Sequence, residues 1–142
     1  MLGGGRAPVL PALRRLGEDL GLVFQIKDDE LGLFGNARTT GKPVGSDIRQ
    51  GKRTLFSLRL SHRAAGRERD RLEDIFGHAD ATGTDILFVR ELAARLGVRK
   101  DVLGVMVRLG RRAAAEIQAL PVGEKYRAIL QSLLDYILSR RS

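Results

Sequence analysis

The sequence predicts an all-α protein, a bundle of helices without strands. Apolar residues recur at intervals of three and four along most of the chain, and no segment alternates convincingly with period two. The strongest breaks in this periodicity fall at stretches that contain glycine and proline. The chain has 142 residues, of which 43% are apolar, and this suits a single domain with a hydrophobic core. We therefore expect one helical domain over residues 1–142.

The first predicted helix begins near Leu10 and continues to residue 34. Two prolines fall near its start, where proline is tolerated. Gly17 and Gly21 lie one turn apart, so they either allow another helix to come close or weaken this helix locally. The apolar face predicted to be buried carries Leu10, Leu13, Leu16, Leu20, Val23 and Phe24.

Residues 35–51 are predicted to form a loop, because they include four glycines, Pro43 and several Asn, Ser and Thr residues. This loop is long for a compact domain, and loops of such length are usually functional or disordered. Helical periodicity then returns, and Gly97 and Pro121 are predicted to end two of the later helices. The later helical segments are predicted at 55–60, 72–76, 85–96, 100–120 and 126–138.

Composition excludes several classes of site. The chain has no Cys, which excludes disulfides and thiolate metal ligands, and its two His are too few for a His-based metal centre. No apolar run approaches the length of a transmembrane helix and the first residues do not form a signal peptide, so we expect a cytoplasmic protein. The net charge of +8 fits a solvated Arg-rich surface or phosphate binding. Nucleic-acid binding is the weaker interpretation, because aromatic residues make up only 5%.

An acidic pair lies at the end of the first predicted helix. Asp28 is one turn beyond Phe24, so the predicted buried face ends in a carboxylate, and Gln25 can share that face with Asp28 and Asp29. Unpaired buried carboxylates are costly, and two together require a cation. Oxygen ligands without Cys or His favour Mg²⁺. The alternative is a solvated acidic pair at a fraying helix end.

The following loop carries two Gly-Lys dipeptides, at 41–42 and 51–52. Glycine lets backbone N–H groups approach an anion and lysine supplies a charge for phosphate, although each dipeptide also fits an ordinary turn. A Walker A loop is excluded. Five residues rather than four separate the preceding glycine from each Gly-Lys, and Pro43 and Arg53 stand where that motif needs Ser or Thr.

Taken together, these motifs resemble the second half of trans-isoprenyl diphosphate synthases, especially geranylgeranyl and related short- to medium-chain synthases. The resemblance rests on Phe-Gln-x-x-Asp-Asp at 24–29, Phe-Gly at 34–35, Thr-Gly-Lys-Pro-Val-Gly-Ser-Asp-Ile at 40–48 and Gly-Lys-Arg-Thr at 51–54. It covers essentially the whole chain. It implies the carboxy-terminal half of an isoprenoid-synthase-type fold and a Mg²⁺-dependent, head-to-tail condensation of isopentenyl diphosphate with an allylic diphosphate in isoprenoid biosynthesis.

The resemblance also implies roles for individual residues. Asp28 and Asp29 would bind Mg²⁺, Asp47 would support the metal through water, and Lys42 and Lys52 would bind the allylic diphosphate. Gln25 matches the polar residue before the acidic pair and would also contact the diphosphate. Asp28 and Lys42 are the residues expected to be catalytic, because departure of pyrophosphate requires its growing charge to be neutralised.

Two departures from the family pattern are evident. Gly32 stands where many members have the third Asp of an Asp-Asp-x-x-Asp motif, and the family's first aspartate-rich motif is absent. Residues 1–4 resemble the end of an earlier family helix, so we expect the chain to begin inside the family domain. The isopentenyl diphosphate site and the residues that set product length would then lie upstream.

These departures leave two functions open. The first is a fragment or split subunit of a prenyl diphosphate synthase, inactive alone, acting on an allylic diphosphate as a homo-oligomer or with a chain that supplies the amino-terminal half. The second is a non-catalytic helical regulatory or interaction subunit of a complete synthase. A partner that supplies the missing half would restore turnover in the first case and would only bind in the second.

Overall fold

The computed structural model describes residues 9–35 and 43–140, and in these residues it contains seven helices and no strand. The helices are α1 Val9–Phe34, α2 Ser46–Arg49, α3 Leu55–Arg63, α4 Arg67–Ile75, α5 Gly83–Arg95, α6 Val98–Ala119 and α7 Glu124–Ser139. The predicted all-α class is confirmed.

The helices form two compact units. Of the described residues, the first unit contains 9–25 and 105–140, and the second contains 26–35 and 43–104. The long helices α1 and α6 each contribute to both units.

The first unit has a small aliphatic core from α1, α6 and α7. Leu16 of α1 packs with Leu134 of α7, with Ala113 and Ile117 of α6, and with Leu120 just after that helix. The buried carboxylate of Asp19 is held by Arg112, whose Nε lies 2.6 Å from Oδ2 of Asp19. The first unit therefore combines apolar packing with one charge-assisted hydrogen-bonded pair.

Only part of the predicted apolar face of α1 is buried. Leu16 and Val23 are buried, whereas Leu10, Leu13 and Phe24 are exposed to 42%, 40% and 44%. The same division appears on α7, where Leu134 and Ile137 are buried and Tyr126, Ile129, Leu133 and Tyr136 are exposed. The predicted helix is confirmed. The prediction of one fully buried stripe on α1 was wrong, because helix packing covers only one side of a broad apolar surface.

The second unit is built around α3 and α5, which pack against each other. Phe56 of α3 is almost fully buried, and its ring centroid lies 5.5 Å from that of Phe34 at the end of α1. Capping boxes begin both central helices, with Thr54 and Ser57 at α3 and Thr82 and Asp85 at α5. These caps fix the points at which the preceding loops become helical.

The predicted loop at 35–51 contains a helical turn in its described part. Gly45 adopts a left-handed conformation with φ of 80° immediately before α2, and Gly51 has φ of 62° shortly after it. Between them, Ile48 is buried. The prediction of a loop was therefore wrong for Ser46–Arg49, because burial of a single isoleucine between two flexible glycines leaves no periodic pattern in the sequence.

Gly45 is also fixed by its surroundings, which leads to a test of the fold. A Cβ at this position would lie 2.5 Å from Cδ1 of Ile86 and would need a left-handed backbone. We expect Gly45→Ala to lower the free energy of unfolding by about 2–4 kcal/mol, through backbone strain and overpacking. Urea denaturation followed by helical circular dichroism measures this change.

Gly83→Ala is the matched control. Gly83 has no atom within 4 Å of its would-be Cβ and does not have a positive φ. Its substitution should change the free energy of unfolding by less than about 0.5 kcal/mol. If the two substitutions change the free energy of unfolding equally, the close approach of Gly45 and Ile86 does not restrict the residue at position 45.

Candidate functional site

The acidic pair at the end of α1 differs in burial between its two members. Asp29 is buried, with 6% of its surface exposed, whereas Asp28 is half-buried. The prediction that the buried face of α1 ends in Asp28 was wrong, because Phe24, one turn earlier, is itself exposed. Of this pair, it is Asp29 whose carboxylate α1 carries into the interior of the second unit.

The ammonium group of Lys52 connects two carboxylates from different elements. Its Nζ lies 3.2 Å from Oδ1 of Asp29 on α1 and 3.4 Å from Oδ2 of Asp47 on α2. The carboxylates are covered to different extents, with 5% of the Asp29 side chain and 25% of the Asp47 side chain exposed, and Lys52 is 41% exposed. The positive charge is therefore open to solvent while the carboxylates are covered.

The backbone around Lys52 is held on both sides. The Lys52 N–H donates to the carbonyl of Asp47 at 2.9 Å, and the Lys52 carbonyl accepts from the Thr54 N–H at 2.9 Å and from the Ser57 hydroxyl at 3.3 Å. Thr54 and Ser57 are the capping residues of α3, so the position of Lys52 is tied to the start of that helix. The side chain of Lys52 projects from a fixed point.

Close packing brings α2 against the end of α1. The N–H of Gly45 donates to the carbonyl of Gly32 at 3.1 Å. A Cβ at position 32 would lie 3.4 Å from Oδ2 of Asp47, which is ordinary van der Waals contact. Position 32 therefore borders the carboxylate of Asp47, and a third aspartate there would stand beside it.

The environment shifts the pKa of Lys52. Desolvation by burial tends to lower the pKa of Lys52, but the hydrogen bond and negative charge of Asp29, followed by those of Asp47, outweigh it and raise the pKa above its ordinary value. Lys52 therefore remains protonated at neutral pH and supplies a permanent positive charge at this point.

The donor chemistry fits a hard divalent cation in part. Asp29 and Asp47 direct carboxylate oxygens at one cationic group, and oxygen donors without His or Cys suit Mg²⁺. Within residues 9–35 and 43–140, no cluster of three or more His, Cys, Asp or Glu side chains could hold a metal ion. These carboxylates therefore fit a Mg²⁺ that keeps several waters and takes other ligands from phosphate oxygens.

Glu30 forms a second buried charge network that sequence reasoning missed. Its carboxylate lies 3.3 Å from Nζ of Lys27 and 2.7 Å from a guanidinium nitrogen of Arg99 at the start of α6. The guanidinium of Arg99 also lies over the ring of Phe34, 4.5 Å from its centroid. The spacing of Lys27 and Glu30 could have predicted the first contact, but nothing in the sequence indicates the second.

Arg90 of α5 stabilises the carboxyl end of α1. Its guanidinium donates to the carbonyl of Leu33 and, at 3.0 Å, to the carbonyl of Gly35. Arg90 also borders a cleft of about 640 Å³, whose other lining residues are Phe34, Gly35, Val44, Gly83, Ile86 and Leu87. That cleft contains none of the predicted metal or diphosphate ligands, so the site is better defined by Asp29, Asp47 and Lys52.

The structure thus brings together three of the residues predicted for the site, Asp29, Asp47 and Lys52. Asp28 is adjacent in sequence and half-buried, and Gln25 is an exposed residue of α1. Lys42 lies outside the described residues, so its role stays a prediction.

Comparison with known proteins identifies the family of this all-α chain. The chain belongs to the polyprenyl synthetase family, whose family model matches residues 1–92. Its curated relatives are prenyl diphosphate synthases, that is, trans-prenyltransferases.

The relatives match nearly the whole of this chain. It is 33% identical over 140 residues to a short chain isoprenyl diphosphate synthase of Methanothermobacter thermautotrophicus, covering 99% of this chain and 42% of that protein. It is 32% identical over 145 residues to a (2E,6E)-farnesyl diphosphate synthase of Mycobacterium tuberculosis, covering 100% of this chain and 40% of that protein.

Solved structures show the same relationship. A geranylgeranyl pyrophosphate synthase of Corynebacterium glutamicum, solved with isoprenyl diphosphate and magnesium, has a TM-score of 0.86 and 30% identity, over 97% of this chain and 39% of its own. A polyprenyl synthase of Caulobacter crescentus, solved with calcium and isoprenyl diphosphate, has a TM-score of 0.79 and 35% identity, over 93% of this chain and 40% of its own.

The chain therefore spans about two-fifths of the length of these relatives, between 39% and 42% in the four comparisons. In the described part of the chain, no helix has the length and apolar character needed to cross a membrane.

The raised pKa of Lys52 gives a direct test of the site geometry. Asp29→Asn removes the negative charge that contributes most to raising it, so we expect a lower pKa for Lys52 in this variant. The chain has only five lysines, so titration of their ¹³Cε signals by NMR, with Lys52→Arg to assign the signal, measures the change.

Asp135→Asn, which removes an exposed carboxylate on α7, is the charge-matched control and should leave the pKa of Lys52 unchanged. Because the folded-state pKa is raised, the stabilisation by Lys52 is present below its unfolded-state pKa and is lost as pH rises through the folded-state value. An unaltered pKa in Asp29→Asn would contradict the contact between Asp29 and Lys52.

Proposed function

We propose that the chain is a carboxy-terminal part of a Mg²⁺-dependent trans-prenyl diphosphate synthase and that it binds the diphosphate group of an allylic substrate. The observation that carries this proposal is the convergence of Asp29 and Asp47 on the ammonium of Lys52, in a member of the polyprenyl synthetase family. The names of two similar structures, with magnesium or calcium and isoprenyl diphosphate, support the choice of ligand.

In this proposal the acidic residues act on the metal and the lysines act on the diphosphate. Asp28 and Asp29 supply oxygens for Mg²⁺, and Asp47 acts on the metal through water. Lys42 and Lys52 donate hydrogen bonds to the diphosphate oxygens. Gln25 makes a further polar contact with the diphosphate. Asp28 and Lys42 are proposed to be catalytic.

Bound Mg²⁺ would neutralise the negative charge that grows on the departing diphosphate. The ammonium groups of the lysines would neutralise the same charge. A protonated Lys52 contributes most where charge develops, because an ammonium already hydrogen-bonded to the bound diphosphate needs little reorganisation when the carbon–oxygen bond breaks. An ordinary lysine is already cationic across the neutral range, and the contacts with Asp29 and Asp47 raise the pKa of Lys52 further.

The carboxylates of the described residues are too few for the whole proposed reaction. No cluster of three or more metal-binding side chains is present there, and the relatives are more than twice as long as this chain. We therefore propose that turnover requires a partner, either further copies of this chain in a homo-oligomer or a chain that supplies the amino-terminal half. The same observations favour a second candidate, a non-catalytic helical subunit that binds a complete synthase.

Coupling between Mg²⁺ and pyrophosphate tests the binding site without requiring turnover. We expect Mg²⁺ to raise the affinity for pyrophosphate about five- to a hundredfold, because a metal bridging carboxylate and phosphate links the two binding equilibria. Asp28→Ala should remove most of this increase. Isothermal titration calorimetry of pyrophosphate with and without Mg²⁺, corrected for their association in free solution, measures both affinities.

Asp135→Ala removes an exposed carboxylate from α7 and should retain the coupling of the unmodified chain. If Asp28→Ala behaves in the same way as Asp135→Ala, Asp28 is not a metal ligand in this chain. The absence of any coupling in the unmodified chain would contradict the proposed site as a whole.

Reconstitution separates the two candidate functions. With Mg²⁺, isopentenyl diphosphate and an allylic diphosphate, we expect the chain alone to release no pyrophosphate above background. Adding the part of the Methanothermobacter thermautotrophicus relative that precedes the matched region should restore release, and Asp28→Ala should abolish that gain. Binding of the added segment without release would favour the non-catalytic subunit, and turnover by the pure chain would contradict the need for a partner.

A further inference from the structure

The ammonium of Lys52 occupies the point on which Asp29 and Asp47 converge. It hydrogen-bonds to one oxygen of each carboxylate, at 3.2 Å and 3.4 Å, and so acts as their counter-ion. A Mg²⁺ bound to the Asp29 oxygen at about 2.1 Å, and to Asp47 through a water, would lie within a few ångström of this ammonium. Two cations so close repel each other, and the repulsion is weakly screened because Asp29 is buried.

We propose that Lys52 is a built-in counter-ion that competes with Mg²⁺ for Asp29 and Asp47, and that binding of a diphosphate group draws its ammonium away from the carboxylates. This proposal rests on the proposed function, because it assumes that this site takes Mg²⁺ and diphosphate. It assigns to Lys52 two exclusive positions, one on the carboxylates and one on a phosphate oxygen.

The structure favours motion of the side chain alone. The backbone of Lys52 is fixed by hydrogen bonds to Asp47 and Thr54, and by the hydroxyl of Ser57. Its side chain is 41% exposed, so the ammonium can turn towards an anion in solvent without disturbing the packing beneath it. The covered carboxylates stay in place, held by α1 and α2.

Such an exchange couples the two ligands. Diphosphate favours the position of Lys52 that leaves the carboxylates accessible to metal, and Mg²⁺ favours the same position by displacing the ammonium. Each ligand therefore raises the affinity for the other, in addition to any direct bond between metal and phosphate. Mg²⁺ alone should bind weakly, because it must first displace a bonded cation.

The proposal predicts changes of opposite sign when Lys52 is replaced. In Lys52→Met, we expect the affinity for Mg²⁺ alone to rise about three- to tenfold, because the competing cation is gone, and the affinity for pyrophosphate in a metal-free buffer to fall by a similar factor. Calorimetric titrations with MgCl₂ alone, and with sodium pyrophosphate in the presence of EDTA, measure the two affinities separately.

Lys100→Met is the matched control, because Lys100 is an exposed residue of α6 and its replacement removes the same charge from the chain. It should change neither affinity by more than about twofold, the effect expected of an exposed charge. Lys52→Arg keeps the charge and should retain weak Mg²⁺ binding.

Asp47→Asn provides an independent test, because it removes one carboxylate partner of Lys52 and leaves the charge of Lys52 itself unchanged. Here we expect the mirror result, with tighter binding of metal-free pyrophosphate and weaker binding of Mg²⁺. Equal stability of Lys52→Met and Lys100→Met to urea excludes loss of folding as the cause. If Lys52→Met does unfold, the Asp47→Asn result decides the question.

The contrary outcomes are distinct. If Lys52→Met lowers the affinity for Mg²⁺ or leaves it unchanged, or if Asp47→Asn does not raise the affinity for metal-free pyrophosphate, the competition does not exist. In those cases the unmodified chain still binds both ligands and the proposed function stands. Failure of the unmodified chain to bind either ligand would instead overturn the proposed function, and this inference with it.

Discussion

Two adjacent buried carboxylates at the end of α1 impose the main electrostatic constraint on the second unit. Asp29 and Glu30 are exposed to only 6% and 7%, and a buried carboxylate without a partner is strongly destabilising. Cationic side chains from different parts of the chain pair with these two carboxylates. Lys52, from the segment after α2, pairs with Asp29, whereas Lys27 and Arg99 pair with Glu30. Neutralising these two charges ties the loop segment and the start of α6 to one helix end.

The charge networks of Asp29 and Glu30 differ in how accessible their cations are to solvent and ligands. Glu30 is held by two cations, one of which also stacks on Phe34, so its network is committed to structure. Lys52 is more exposed than either carboxylate that it contacts. A covered anionic surface under a solvent-accessible cation can exchange that cation for a metal or turn it to an anionic ligand. We therefore propose that the Asp29–Lys52–Asp47 arrangement is the functional one and that the Glu30 network supports it.

Several apolar side chains of the first unit are exposed. Leu13 and Phe24 on α1 and Ile129 and Leu133 on α7 are exposed, although their helices bury other apolar residues. Broad apolar stripes of this kind belong to helices that pack on more than one side.

The sequence by itself determined the helical class and the order of the long helices, and it predicted the type of chemistry. Apolar periods of three and four and the breaks at Gly97 and Pro121 follow local rules, so the positions of the long helices could be predicted within a few residues. The acidic pair, the Gly-Lys dipeptides and the absence of Cys likewise indicated oxygen ligands and phosphate binding without any knowledge of the fold.

Only the tertiary structure decided which of these residues meet. Periodicity indicated Asp28 as the buried carboxylate, but burial depends on which side of α1 is covered, and that side carries Asp29. The contact between Lys52 and Asp29 joins residues that are 23 positions apart, and that between Arg99 and Glu30 joins residues 69 apart. Local patterns carry no information about such pairs, because their distances are set by how helices pack and not by spacing along the chain.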